Sequence, residues 1–343
     1  MKNFLTLILL MSLQAVVAQQ PYYNNVNLTL TGQDLYFELQ DKIGNASSSF
    51  SYGDNKNSMK ITDEDPNNSN NVLLIYGYND SDGNCTTDRS RNKNNFGGNN
   101  CEYNREHTFA KSNANPGMTG NTGIIADPHN LRPSDQRMNN NRGNLKMVDG
   151  SGNAGSTSGG FYPGDEWKGD VARIMMYMYT RYGDRCKPSL NGMGSLQGGT
   201  EMLQIYLQWN VEDPVSDLED QRNPYLETAY GNRNPFIDNP YLATIIWGGP
   251  VAEDRWNMVG VGEFISDFIS VYPNPTSEVV WVSDNTSFPV ENYSIYDISG
   301  RKVLQSTFNT SEKKIDVSNL ETGVYLLELI AAEKRVVKRI MVQ

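Results

Sequence analysis

Glu106 and His107 are adjacent in the stretch Tyr103-Asn104-Arg105-Glu106-His107-Thr108-Phe109-Ala110-Lys111-Ser112, and they place a proton acceptor beside a ligand for a hard metal ion. The chain has 2 histidines, His107 and His129, and both fall in one window, about 85–144, dense in Arg, Asp and Asn. Imidazole, with a free pKa of ~6.5, is mostly neutral near pH 7 and can take a proton from water. Carboxylate and amide oxygens suit a cation such as magnesium, which keeps several waters and takes few protein ligands. Arginine holds phosphate through paired hydrogen bonds. Hydrolysis of a phosphodiester needs these three functions together. A Glu-His pair alone is a weak signal, since a hydrogen-bonded core histidine beside a surface glutamate has the same sequence. His107, His129 and Glu106 also leave a three-ligand zinc site open.

Composition narrows the choice. A net charge of −11 argues against attraction to nucleic acid over the whole surface. Between Cys85 and Lys146, however, nine basic residues face five acidic ones, a local positive excess in an acidic chain. At 343 residues the chain is long enough for about two domains. Three cysteines are too few for a disulfide scaffold. Cys85 and Cys101 could close the polar loop between them, which leaves Cys186 over, but sequence does not fix connectivity. The Gly-rich loops match no nucleotide-cradling motif.

Several elements must position these residues. Residues 1–18 read as a signal peptide: Lys2 at the charged end, an apolar run over 4–13 too short to span a bilayer, and small or modest residues at 16–18. Leu35, Tyr36, Leu39 and Ile43 have helical spacing after Thr31. The apolar run 72–78 fits a strand or a buried turn, and 79–100 reads as irregular. An extended piece is expected over 124–133, then a helix capped by Ser134 and running through Gln136, Met138 and Asn139. With the motif strand, the window reads strand, loop, strand, helix. Trp167, Val171, Ile174, Met175, Met178 and Tyr182 predict a helix over 165–182, capped by Asp165 and stopped by Gly183. Further helices are expected over 201–209 and from Asp213-Pro214. From about Phe264 short alternating runs separated by turn signals predict a small all-β sandwich without His or Cys.

The run Asn104-Arg105-Glu106-His107 with Lys111-Ser112, and the block Asp127-Pro128-His129-Asn130-Leu131-Arg132-Pro133 followed by Asn139 and Arg142-Gly143-Asn144, resemble the bacterial endonuclease I family of secreted ββα-metal (His-Me finger) nucleases. The segments 164–173 and 231–238 resemble it too, so the likeness covers most of residues 20–250. The resemblance implies an α+β fold, with a ββα-metal core embedded in a mainly helical domain. It implies His107 as general base, and Glu106 and Asn139 as protein ligands of one divalent cation, magnesium first, with calcium or manganese as alternatives. Asn139 is assigned by its place nine residues after Asn130, with Asn140 and Asn141 beside it. It implies an arginine on the phosphate, with Arg142 and Arg105 both candidates, and Asp127, His129 and Asn130 in support. Ala110 departs from the family pattern, in which proline is frequent, and bears on loop shape. The implied activity is nonspecific hydrolysis of DNA, with RNA as a further substrate, to 5′-phosphate ends by a monomer. One objection stands: adjacent side chains of a regular strand face opposite ways, so Glu106 and His107 share a site only if the strand ends, bends or presents its edge there.

Val271-Tyr272-Pro273-Asn274-Pro275, Tyr296-Asp297-Ile298-Ser299-Gly300-Arg301 and Leu320-Glu321-Thr322-Gly323-Val324-Tyr325 resemble the type IX secretion sorting domain. This implies export, recognition by that machinery, and an extracellular or cell-surface location. The expected organisation is a signal peptide (1–18), a catalytic domain (19–250), a linker (251–267) and a sorting domain (268–343). The rival readings are a zinc-dependent hydrolase or phosphodiesterase, and a catalytically silent surface binding protein on the same scaffold.

Overall fold

A computed structural model describes residues 21–157, 159–256, 258, 269–284, 289–308, 313–331 and 334–343. The expected signal peptide lies outside the described residues, as does most of the expected linker. In chain order, α1 (Gly32–Gly44) and α2 (Asn55–Thr62) precede a three-stranded antiparallel sheet of β1 (Glu64–Asp65), β2 (Asn68–Leu73) and β3 (Ser90–Asn92). The antiparallel pair β4 (Tyr103–His107) and β5 (Leu131–Asp135) runs directly into α3 (Gln136–Arg142). After β6 (Gly155–Thr157) and β7 (Gly160–Tyr162) come α4 (Lys168–Tyr182), α5 (Pro188–Asn191), α6 (Gln204–Glu212), α7 (Asp217–Ala229), α8 (Pro235–Asp238) and α9 (Tyr241–Trp247).

Val171, Ile174, Met175 and Met178 of α4 are buried as their spacing predicts, but so are Ala172, Met176 and Tyr177 on its other sides. A helix buried all round sits inside the core; α1, α6 and α8 pack on α4. Gly183 ends α4 with φ 55°, a left-handed conformation that glycine adopts without a Cβ penalty.

Helix starts differ from the sequence expectation, each for a local reason. Asp165 does not cap α4, because its carboxylate accepts from Gly152 N–H at 2.9 Å and also from the Tyr162 hydroxyl. Asp213, expected to open a helix, instead accepts the Gly169 N–H of α4 at 2.8 Å. α7 begins later, at a capping box of Ser216 and Glu219, which satisfies two end N–H groups reciprocally. The cap of α3 is Asp135 rather than Ser134: its carboxylate accepts from Arg137 and Met138 N–H at 2.8 and 3.1 Å. The extended piece expected over 124–133 divides into a 3₁₀ turn, Gly123–Ala126, and β5. The stretch expected to be irregular contributes β3, paired with β2.

A buried ion network joins α2, β5, α4 and α7. Asp63, fully buried, accepts from Arg132 Nε at 2.6 Å and is paired with Arg222. Arg132 continues to Asp170 at 2.8 Å, and Arg173 meets Glu219 at 2.6 Å. Asp63→Asn keeps the shape but removes the charge that two buried guanidinium groups face. It is expected to lower the unfolding free energy by about 1.5–3 kcal/mol, the range for a hydrogen bond to a charged group. Urea denaturation at pH 7 measures it, and an unchanged midpoint would show that the network adds no stability.

The C-terminal region consists of β-sheets. β10 (Val290–Asp297), β11 (Lys302–Thr307), β13 (Gly323–Ala331) and β14 (Lys334–Val342) form one sheet, in the order β11-β10-β13-β14. β8 (Ser270–Tyr272), β9 (Val279–Ser283) and β12 (Lys314–Asp316) form the other, in the order β12-β9-β8. Tyr325, Leu327 and Leu329 alternate inward on β13, and Val280 and Val282 on β9, the period expected of strands with one apolar face.

Candidate active site

β4 and β5 pair with Glu106 opposite Arg132 and His107 opposite Leu131. β4 ends on His107, and its side chains alternate as in a regular strand: Arg105 and His107 both meet the Tyr52 ring, whereas Glu106 meets Tyr76 and Arg142. Past that residue the chain is held by side chains. The Asn130 amide accepts from Phe109 N–H at 2.7 Å and donates to the Phe109 carbonyl at 3.1 Å, which extends the pairing beyond the strand. Asn191 accepts from Ala110 N–H at 3.0 Å and donates to the Thr108 carbonyl at 3.0 Å.

His107 is 5% exposed. Its Nε2 lies 2.8 Å from the Ile125 carbonyl. A carbonyl only accepts, so Nε2 carries the proton and the neutral ring has its lone pair on Nδ1. Burial pushes its pKa down to about 4, with Lys111, Arg105 and Arg142 adding to the shift and the Ile125 carbonyl opposing it. The Tyr52 ring stacks on the imidazole, centroids 5.3 Å apart at 26°.

Glu106 is 2% exposed. Its Oε1 accepts from the Tyr76 hydroxyl at 3.0 Å and lies 3.5 Å from Arg142 Nε. Burial pushes its pKa up to about 7 despite Arg142 and Tyr76. Tyr76 has φ 73°, a conformation that costs energy for a bulky residue and here accompanies a ring whose hydroxyl meets the carboxylate. Gly77 follows because a Cβ there would meet the Asp88 carbonyl oxygen at 2.1 Å.

Asn104 and Glu106, two apart on β4, share a face. α3 lies against that face: the Asn139 amide donates to Asn104 Oδ1 at 2.7 Å and to the Arg105 carbonyl at 3.3 Å. With its nitrogen so committed, Asn139 keeps Oδ1 as its accepting atom. Arg142, three residues on and on the same helix face, reaches Glu106.

The two candidate arginines differ. Arg142 is fully buried, and its Nη1 and Nη2 donate to the His107, Gly143 and Thr108 carbonyls and to Asn191. In this conformation it clamps the end of β4. Arg105 is half-buried and lies over the Tyr52 ring, 3.7 Å from its centroid.

Asp127 accepts from Tyr177 and Tyr182 hydroxyls at 3.0 and 2.7 Å and from Arg181 at 2.7 Å. His129 packs against Tyr177 with centroids 4.5 Å apart, and its Nε2 lies 3.3 Å from the Asn232 carbonyl. His129 and Asp127 thus brace the core behind the hairpin. The described residues contain no group of three or more His, Cys, Asp and Glu arranged to hold a metal, so the three-ligand zinc site on His107, His129 and Glu106 does not form among them. Cys85 and Cys101 are joined in a disulfide, and Cys186 is free and buried.

A ββα unit with a Glu-His pair closing its first strand and an asparagine on its helix facing that strand is the arrangement that the likeness to endonuclease I leads one to expect. The chain belongs to the endonuclease I family, whose model matches residues 31–241. It is similar to an extracellular ribonuclease of Bacillus subtilis (strain 168), 40% identical over 232 residues, which are 63% of this chain and 75% of that protein. An extracellular ribonuclease of Bacillus amyloliquefaciens is 40% identical over 212 residues, 57% of this chain and 68% of that one. Residues 270–343 match the secretion system C-terminal sorting domain. The protein is a nuclease exported to the cell surface or beyond.

Proposed function

We propose that the protein is a metal-dependent, sugar-nonspecific endonuclease that hydrolyses phosphodiester bonds of RNA and DNA to 5′-phosphate ends. The observation that carries the reading is the His107 Nε2 to Ile125 carbonyl contact at 2.8 Å, which leaves Nδ1 as a base. His107 Nδ1 takes a proton from water as the water oxygen bonds to phosphorus and the bond to the 3′ oxygen breaks. A water nucleophile asks nothing of the 2′ hydroxyl, which fits action on both sugars. Arg105, on the outer part of the hairpin, would hold the phosphate.

The donor set fits a hard cation. Glu106 is a buried carboxylate with incomplete charge compensation, and Asn139 offers an amide oxygen on the same face. These two residues would hold magnesium, which when bound stabilises charge on the phosphate and the leaving oxygen. The sorting domain supports transfer through type IX secretion machinery.

The test is cutting of supercoiled plasmid and of a structureless RNA by the purified protein, with magnesium or with chelator. Both substrates are expected to be cut with magnesium and spared in chelator. A folded protein that cuts neither with any of several divalent cations sinks the reading. Cutting of RNA alone would restrict it to a ribonuclease.

A further inference from the structure

Beside His107 lies a ladder of rings and cations. The Tyr52 ring stacks on His107, the Arg105 guanidinium lies 3.7 Å from the Tyr52 centroid and 5.4 Å from that of Phe96, and Lys56 Nζ lies 4.8 Å from Phe96. Tyr52, Arg105 and Phe96 are half-buried and Lys56 is exposed. The basic residues around them are mostly neutralised: Arg89 by Glu166, Arg91 by Asp88 and Asp135, Lys93 by Glu64, Arg132 by Asp63 and Asp170. Among the described residues neither Arg105 nor Lys56 is paired with a carboxylate; Arg105 Nη1 donates to the Tyr52 carbonyl, and its buried Nε has no hydrogen-bond partner. Two unpaired cations interleaved with two aromatic faces, in a chain of net charge −11, form a local site for an anionic ligand with a flat ring.

We propose that Tyr52, Arg105, Phe96 and Lys56 form a subsite for one unstacked nucleotide flanking the bond that is cut, the base against the Phe96 edge of the ladder and the phosphates against Arg105 and Lys56. The subsite rests on the nuclease reading. It takes single-stranded nucleic acid, because paired bases in a duplex offer no open face. Stacking on an aromatic side chain tolerates any base, so the site adds affinity without sequence preference.

The test uses the full mature chain and an eight-nucleotide fluorescent single strand, with binding followed by anisotropy in chelator and cutting followed in magnesium. Phe96→Leu keeps an apolar side chain against its neighbours Met59, Val72, Leu74 and Tyr103 but removes the ring. It is expected to weaken binding and raise KM about 10-fold, within the range for loss of one stacked base, and Phe96→Trp to restore both. Lys56→Ala, at an exposed position that cannot unfold the core, is expected to weaken binding and lower the slope of log affinity against log salt by about 0.7. Lys42→Ala removes the same charge from α1, where Lys42 lies over the Tyr22 ring, and is expected to change nothing. The subsite is overturned if the parent binds and cuts while Phe96→Leu and Lys56→Ala match it, or if Lys42→Ala weakens binding as much as Lys56→Ala. A parent that neither binds nor cuts overturns the nuclease reading, and the subsite falls with it.

Discussion

Alanine at His107 is expected to lower the rate of plasmid nicking about 10²–10⁴-fold, the usual contribution of a positioned general base. The ring has little freedom. The Ile125 carbonyl fixes the tautomer, Tyr52 covers one face, and the depressed pKa of about 4 keeps the imidazole neutral at physiological pH. The ring therefore stands ready to accept a proton, and no other histidine is near enough to substitute: His129 is held against Tyr177 and the Asn232 carbonyl. His107→Gln is the companion variant. Its amide can still donate to Ile125 but cannot act as the base, so it should lose as much activity as the alanine variant while keeping the parent's thermal stability more closely. Initial rates at saturating magnesium, with circular dichroism to check folding, measure both. Retention of activity within 10-fold by either variant would assign the proton to another acceptor.

What the sequence carried and what it did not follows from the range of each interaction. The ββα order was legible because its signals are local: two extended stretches, 103–107 and 131–135, and a short polar helix directly after the second. The helical stripe of α4 was legible from its period. Caps were misjudged wherever a side chain had a stronger tertiary offer, as Asp165 did from Tyr162 and Gly152, and as Asp213 did from the start of α4. The surroundings of Arg142 were not legible because residue type says nothing about burial. Four carbonyl and amide acceptors brought together by β4, α3 and α5 hold its guanidinium. Tyr52, Tyr76 and Asn191 were missed altogether. Each reaches the hairpin from 30 or more residues away in a loop, turn or short helix, with no spacing relation to the motif. The positive excess of the 85–146 window was also a poor guide, since most of those charges are held in ion pairs and only a few face outward.

Glutamine at Glu106 is expected to separate metal binding from the stability of the protein. In the absence of a divalent cation the Glu106 carboxyl has its pKa pushed up to about 7 by burial, from an ordinary 4.5. A folded-state value above the unfolded one means that ionisation opposes folding: the stability is fully present below pH 4.5 and is lost as the pH rises through 7. The shift corresponds to at most about 3 kcal/mol above that range. Glutamine removes the charge, keeps an oxygen for the Tyr76 hydroxyl, and should make the protein in chelator more stable than the parent at pH 8, with little difference at pH 5. Magnesium should then raise the melting temperature of the parent and leave that of Glu106→Gln unmoved, because a cation that stabilises the folded state by binding it needs the carboxylate. Nicking should fall at least about 10²-fold, in line with loss of a cation that stabilises transition-state charge. Thermal unfolding at the two pH values, with and without magnesium, tests each step. An equal magnesium shift in both proteins would put the cation elsewhere. A variant less stable than the parent in chelator at pH 8 would mean that the contact with Arg142 outweighs the burial of the charge.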